Sequence, residues 1–386
     1  MHTPHIYIQG IGAIASTGQN HEEIAEAIWH DRCQLAPLTR FETEMDPPPL
    51  VSELPASLIP DTEGRLQKIA QQVIAQALQD AGIKKDAPQL KRAGLFVGTI
   101  TGMRTTFEEE FRKHKGKDPA SFPKIIAPGS GRLAEEIALD LGIEGPVMTY
   151  STACTSSSMA LLHARKALQT GLLKHAIVLG IDMLTSTHVH GFSALRLLDP
   201  QGSRPFDVDR QGIHIGEGAA AMFLSTTHTD TSQATMIGGA SLGHPYHITA
   251  SDPDGQGALE TMLRACRDAD IQPDEIDAIK AHGTGSDIND QTECKAMSRA
   301  FSTPPLFTSL KRDFGHTMGA SGLLECCAFL ACLRKGFIPK TSGCTTPDPT
   351  LGMSPLLAHQ PASKGTWMMN TFGFGGSCTT FIVQTK

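Results

Sequence analysis

One thiol stands where a nucleophile would be built. Cys154 falls between an apolar stretch, VMTYSTA at 147–153, and a run of hydroxyl residues, Thr155-Ser156-Ser157-Ser158, that opens a helical pattern. The first turn of a helix offers unpaired N–H groups and the positive end of the dipole, so a thiolate there is favoured. Such placement brings a cysteine pKa from about 8.5 into the range of roughly 3.5–7.5. A cysteine taken without context is more often a small buried hydrophobe. Two later glycine-rich segments supply the context: KAHGTGS at Lys280–Ser286, carrying His282, and SLKRDFGHTMGASG at Ser309–Gly322, where Lys311 precedes His316 by five residues.

The elements that would hold these groups read as a layered α/β protein, short buried strands alternating with helices. Asn20 with Glu23 caps a first helix, HEEIAEAIWH. A second presents Leu66, Ile69, Ala70, Val73 and Ala77 on one face and stops near Gly82. A strand follows over Ala93–Thr99. LQDAGIKKD at Leu78–Asp86 returns loosely as CRDADIQPD at Cys266–Asp274, each leading into an apolar strand that ends in Gly-Thr, a hint of internal duplication. The expected halves are 1–232 and 233–386. Gly10-x-Gly12-x-x-Ala15 after the strand HIYIQ has dinucleotide-binding spacing, so an oxidoreductase is the competing class. The residues Ser16-Thr17-Gly18-Gln19 then delay the helix that should open at the glycines, and no ribose-binding acid follows at the right place.

Composition narrows the partners. The 386 residues carry a net charge of −7, which argues against an extended nucleic-acid-binding surface. No apolar run reaches the roughly 20 residues of a membrane span, and the N-terminus lacks the order of a secretory signal. Nine cysteines without CxxC spacing fit a reducing compartment, so a cytoplasmic setting is expected. No metal-ligand spacing stands out.

Taken in order, GIGAIASTG (Gly10–Gly18), TACTSSS around Cys154, SRPFDVDRQGIHIGEGAA (Ser203–Ala220), SDPDGQG (Ser251–Gly257), AHGTGS, KRDFGHTMGASG and NTFGFGG (Asn370–Gly376) resemble the β-ketoacyl-acyl-carrier-protein synthases, decarboxylating condensing enzymes. The likeness runs nearly end to end. It implies the thiolase-like fold: α/β, two duplicated halves in an αβαβα arrangement. It also implies decarboxylative condensation of an acyl thioester with a malonyl thioester, in fatty-acid, polyketide or aryl-polyene-type elongation. On this resemblance Cys154 is the acylated nucleophile, with its own N–H and that of Phe374 as oxyanion donors beside Phe372 and Gly375. His282 and His316 donate to the enolate, and Lys311 supports the local electrostatics. Glu325 matches a carboxylate that pairs with this lysine or a bound ion. Thr284 and Ser286 match positions that bond the phosphopantetheine arm, and Phe107 falls where a smaller residue usually lines the acyl tunnel.

Two residues depart from the family pattern: Ser286 stands for threonine, and Asn289 for a glycine, which puts the local turn in question. The region between Gly102 and Gly131 is also shorter than usual. No tightly bound cofactor is implied, since the substrates ride on carrier-protein phosphopantetheine. The implied partners are an acidic acyl carrier protein, for which Arg65, Lys68 and the run Arg112-Lys113-His114-Lys115-Gly116-Lys117 are the visible basic candidates, and a second synthase subunit. Homodimer and heterodimer both remain open. A non-condensing, chain-length-factor-like subunit is the alternative function, although such subunits lack the nucleophile that Cys154 supplies.

Overall fold

The computed structural model describes residues 4–57, 64–114, 116 and 129–386. Its centre is a ten-stranded mixed sheet. Five strands come from the first part of the chain: β1 (Ile6–Ala15), β2 (Gly94–Gly98), β3 (Val147–Tyr150), β4 (His175–Asp182) and β5 (Gly218–Ser225). Five come from the remainder: β6 (Ala234–Gly243), β7 (Ala278–Lys280), β8 (Leu306–Thr308), β9 (Gly365–Gly373) and β10 (Ser377–Thr385). The spatial order is β8-β7-β9-β10-β6-β1-β5-β4-β2-β3.

The order hides a repetition. From the middle outward, β1-β5-β4-β2-β3 runs antiparallel, antiparallel, parallel, parallel, and β6-β10-β9-β7-β8 runs in the same senses. The two sets meet where Ile6–Ile8 of β1 pairs with Ala234–Met236 of β6. The helices α2 (Arg65–Asp80) and α7 (Gln256–Ala269) end in the two similar peptides seen in the sequence, and each leads on to a parallel strand, β2 or β7.

The remaining long helices are α1 (His21–Trp29), α3 (Arg104–His114), α4 (Arg132–Leu141), α5 (Ser156–Gln169), α6 (Ser186–Ala194), α8 (Asp287–Ala300) and α9 (Ser321–Arg334). Local chemistry sets their starts. The Asn20 side chain accepts from the Glu23 N–H at 2.9 Å, and the Glu23 carboxylate accepts from the Gln19 N–H at 2.9 Å. In α9 every residue from Ser321 to Leu333 is buried, as befits a helix that is apolar all round. Full burial of a side chain such as Leu323, Leu330 or Phe329 contributes about 1.5–3 kcal/mol. The single acid on this helix, Glu325, therefore needs a partner in the interior.

Gly10 and Gly12 serve packing. A Cβ on Gly10 would lie 2.1 Å from the Ala77 carbonyl oxygen, and one on Gly12 equally close to that of Val73. These glycines let α2 settle on β1, so the face a pyrophosphate would need is filled by helix. The dinucleotide reading falls on that contact. Among the described residues no helix is long and apolar enough to cross a membrane.

Candidate active site

The turn that carries Cys154 is fixed from several sides. After β3 the chain bends through Ala153, which adopts a left-handed φ of 52°, an uncommon conformation for a residue with a Cβ. The Ser156 hydroxyl donates to the Ala153 carbonyl at 2.6 Å and accepts from the Thr152 N–H at 2.9 Å. Thr155 Oγ1 donates to the Thr152 carbonyl at 2.6 Å and contacts Ser377 Oγ at 2.7 Å. Cys154 thus sits just ahead of α5, 7% exposed, with its own N–H and that of Phe374 directed at Sγ.

Its acidity differs from the expectation. Burial pushes the thiol up to about 11, outweighing the Lys311 charge and the two N–H donors that act in the opposite direction. The helix terminus by itself predicts the opposite direction. Removal of a compact sulfur anion from water is the larger effect here.

The glycine-rich segments bring two imidazoles to this thiol. His316 Nε2 lies 3.0 Å from Cys154 Sγ. Its Nδ1 accepts from the Met318 N–H at 3.1 Å and lies 2.9 Å from Ser321 Oγ. A backbone N–H can only donate, so the neutral ring carries its proton on Nε2, facing the sulfur. His282 Nδ1 faces the Lys311 ammonium at 3.5 Å, which likewise leaves the proton on Nε2. Burial and Lys311 hold both imidazoles well below their ordinary value, so both are neutral.

Thiol and ring-nitrogen atoms of Cys154, His282 and His316 lie within 4.8 Å of one another, a spacing a metal ion could bridge. The tautomers speak otherwise: both Nε2 atoms carry protons, and an ammonium stands behind one ring. The set suits an anion better than a cation.

Carboxylates from α8 hold the HGTG loop. Glu293 accepts from the N–H groups of His282 and Gly283, each at 2.8 Å. Asp290 accepts from Thr284 N–H at 3.0 Å and Gly285 N–H at 3.2 Å, and Asn289 Nδ2 donates to it at 3.2 Å. The substitution at Asn289 therefore joins the local network rather than breaking it. Asp182, at the end of β4, ties the His316 loop to the other half: it accepts from Gly319 N–H at 2.7 Å, Thr101 N–H at 2.8 Å and Thr99 Oγ1 at 2.7 Å.

A cavity of about 270 Å³ opens above the thiol, its wall including Cys154, His282, His316, Thr284, Ser286 and Phe372, with Phe374 at its edge. Thr284 Oγ1 and Ser286 Oγ are 3.0 Å apart. Gly375, with φ 76°, lets the β9–β10 connection turn so that Phe374 N–H faces the sulfur, and its own N–H donates to the Ile248 carbonyl at 2.8 Å. Lys311 and Glu325 lie behind the wall, in contact with each other. Phe107 is half-buried on α3 and is not part of this cavity wall.

Of the basic candidates, Arg65 is engaged with the buried Glu217 at 3.1 Å, and Arg112 and Lys113 pair with Glu108 and Glu110 at 3.8 and 2.5 Å. Lys68 is exposed, while Lys115 and Lys117 lie outside the described residues. The sequence reading missed Glu293, Asp182 and Lys280. An acid one turn beyond Asp290, and a lysine closing the apolar strand Ala278-Ile279, were the available signals.

The β-ketoacyl synthase N-terminal domain matches residues 60–230 and the β-ketoacyl synthase C-terminal domain residues 234–345. Similar chains include the 3-oxoacyl-[acyl-carrier-protein] synthase 2 of Coxiella burnetii (26% identical, 98% of each chain) and that of Synechocystis sp. (28%, 98% of this chain and 97% of the other). Among solved structures, the ishigamide ketosynthase/chain length factor superposes with a TM-score of 0.89 at 27% identity over 100% of both chains. The ketosynthase ApeO in complex with its chain length factor ApeC, from Xenorhabdus doucetiae, gives 0.83 at 26% identity, covering 99% of this chain and 98% of that one. With a helix-terminal cysteine between two glycine-loop histidines, a thiolase-like sheet and matches across most of its length, the chain belongs to the β-ketoacyl synthase family.

Proposed function

We propose that this chain condenses a carrier-bound acyl group with malonyl thioester in fatty-acid, polyketide or aryl-polyene-type chain extension. In the first half-reaction Cys154 Sγ attacks the acyl thioester carbonyl. The oxyanion forms against the N–H groups of Cys154 and Phe374, the C–S bond to pantetheine breaks, and the cysteine proton leaves with the released thiol. In the second, the malonyl C–C bond breaks with loss of carbon dioxide, and its electron pair becomes an enolate held by Nε2–H of His282 and His316. The enolate carbon then attacks acyl-Cys154. The same N–H pair holds the new oxyanion, and Cys154 leaves as thiolate and takes a proton from solvent.

The observation that carries this reading is the convergence of one thiol and a ring nitrogen from each of two neutral imidazoles within 4.8 Å, with two backbone N–H groups directed at the sulfur. Lys311 orients His282, and Glu325 compensates that lysine. Thr284 and Ser286 bind the pantetheine arm, and Phe372, Phe374 and Gly375 form the gate. The repeated strand order supports a division of the chain at 232/233. A non-condensing role would use none of these contacts. No tightly bound cofactor is needed, because the carrier protein brings both substrates; an acyl carrier protein stands in the names of the similar synthases.

β3 ends the sheet and exposes Val147 and Met148, 36% and 45% accessible. An unpaired apolar edge invites another strand, so a second copy of this chain or a related subunit pairs there. The test of the whole reading is Cys154→Ala in a condensation assay with acyl and malonyl carrier proteins. Wild type should yield the β-ketoacyl product and the variant none. Condensation by the folded variant would sink the assignment.

A further inference from the structure

Behind the cavity wall lies more positive charge than a simple ion pair requires. Glu325 is wholly buried on α9, and each of its carboxylate oxygens is taken by a different buried ammonium: Oε1 by Lys311 and Oε2 by Lys280, the latter at 2.7 Å. Lys280 reaches in from the end of β7 and also donates to the Asn370 carbonyl on β9 at 2.7 Å. Lys311 comes from the single helical turn Lys311–Phe314 and donates to the His282 carbonyl at 3.0 Å. The other titratable groups that sense Lys280 are Glu293 from α8, Cys326 from α9, and the two imidazoles. Burial raises Glu293, and its oxygens are occupied by the His282 and Gly283 N–H groups.

A Lys311–Glu325 pair alone would be neutral. Among these three side chains a second buried ammonium leaves one unit of positive charge over, at a cost visible in the pKa of Lys311, which burial lowers, Glu325 raises and Lys280 lowers again. The groups that face the substrate carry no charge at rest, since the thiol is held up and both imidazoles are held down. Yet, apart from the neutral acyl-Cys154, the species these groups must hold are anionic: oxyanion, enolate and expelled thiolate. A fixed excess cation directly behind His282 stabilises them in a way that neutral donors do not.

We propose that Lys280 is a positioning residue for the condensation: by engaging the second oxygen of Glu325 it leaves the Lys311 ammonium only partly compensated behind His282, which holds that ring as an Nε2–H donor and keeps an excess cation on the Lys280–Glu325–Lys311 cluster. The proposal rests on the condensing reading of the cavity. Lys280 touches neither substrate nor reacting atoms and acts through Glu325 and Lys311.

The experiment compares Lys280→Met with the pair Lys280→Met/Glu325→Gln. Lys280→Met leaves the cluster neutral. Carbon dioxide release from malonyl carrier protein should fall about tenfold or more, and the pH of half-maximal Cys154 alkylation should rise by about one unit, the scale of one lost charge interaction. The double variant restores one uncompensated ammonium on Lys311, so it should release carbon dioxide faster than the single variant. A merely structural lysine would make the double variant worse. Should Lys280→Met fail to fold, Lys280→Ala supplies the comparison: ammonium chloride should rescue it, and tetramethylammonium chloride at equal ionic strength should not.

The proposal is overturned by a folded Lys280→Met that changes neither readout, by a double variant slower than the single one, or by the absence of ammonium rescue in Lys280→Ala. A wild-type protein that releases no carbon dioxide sinks the condensing reading instead. The alkylation midpoint tests Lys280 independently of turnover.

Discussion

Replacing His316 by alanine should separate the two half-reactions by a calculable margin. The imidazole contributes Nε2–H, 3.0 Å from Cys154 Sγ, and is one of two such donors to the enolate. Loss of a preorganised donor to a developing oxyanion costs about 2.7–4 kcal/mol, a rate loss of about 10²–10³. Decarboxylation should fall by that factor, with His282 still in place. Acyl transfer draws its oxyanion stabilisation from the N–H groups of Cys154 and Phe374, which the substitution leaves alone. It loses only a hydrogen bond to sulfur, worth about 0.5–1.5 kcal/mol, or roughly two- to twelvefold. His282→Ala is the control: the ring's nearest polar partner is Lys311, so decarboxylation should suffer similarly while transfer stays within about threefold. Mass spectrometry of acyl-enzyme formation and carbon dioxide release from malonyl carrier protein give the two rates separately. Equal and complete loss of both in a folded His316→Ala protein would refute this division.

Other expectations follow from the same contacts. Because burial holds Cys154 near 11, its alkylation rate should climb about tenfold per pH unit from pH 7 to 10; a plateau below pH 8 would contradict the burial argument. Cys154, Cys326 and Cys378 all have folded values, about 11 to 12, above the ordinary thiol value of about 8.5, so the stability they lend is complete below about pH 8 and lost as pH rises through 11–12. The unfolding midpoint should drop across that window, and a flat profile would refute it. Met148→Glu places a charge on the exposed edge of β3 and should convert the protein to monomer by light scattering; an unchanged mass would remove β3 from the interface. On the family resemblance alone, since Phe107 lies off the cavity wall described above, Phe107→Ala should extend acyl acceptance toward longer saturated chains by about tenfold, and an unchanged chain-length profile would sink the tunnel assignment.

The site was legible where it rests on short-range patterns. Cys154 before a hydroxyl-rich helix start, and histidines inside glycine loops, are statements about a few neighbouring residues. The repeated peptides at 78–86 and 266–274 foreshadowed a sheet whose two sets of strands share one order. What stayed hidden depends on partners distant in sequence. Lys280 reads as an ordinary strand-end lysine until α9 delivers Glu325 from 45 residues away. Arg65 reads as a surface cation until Glu217 is found 152 residues on. The Cys154 acidity was misjudged for a related reason: the helix terminus is visible in sequence, whereas the depth of burial depends on α9, β9 and β10 closing over the turn. Gly10 and Gly12 matched a nucleotide motif because close approach to a phosphate and close approach to α2 require the same missing Cβ.

The most direct test of the central claim is a pulse and chase at Cys154. The protein is incubated with acyl carrier protein, digested and mapped by mass spectrometry, and a parallel sample is chased with malonyl carrier protein. The expected result is an acyl group on the Cys154 peptide alone, discharged by the chase with release of carbon dioxide and appearance of the β-ketoacyl product. An acyl group on Cys326, Cys327 or any other cysteine, or a Cys154 acyl group that the malonyl chase leaves in place, would contradict the account.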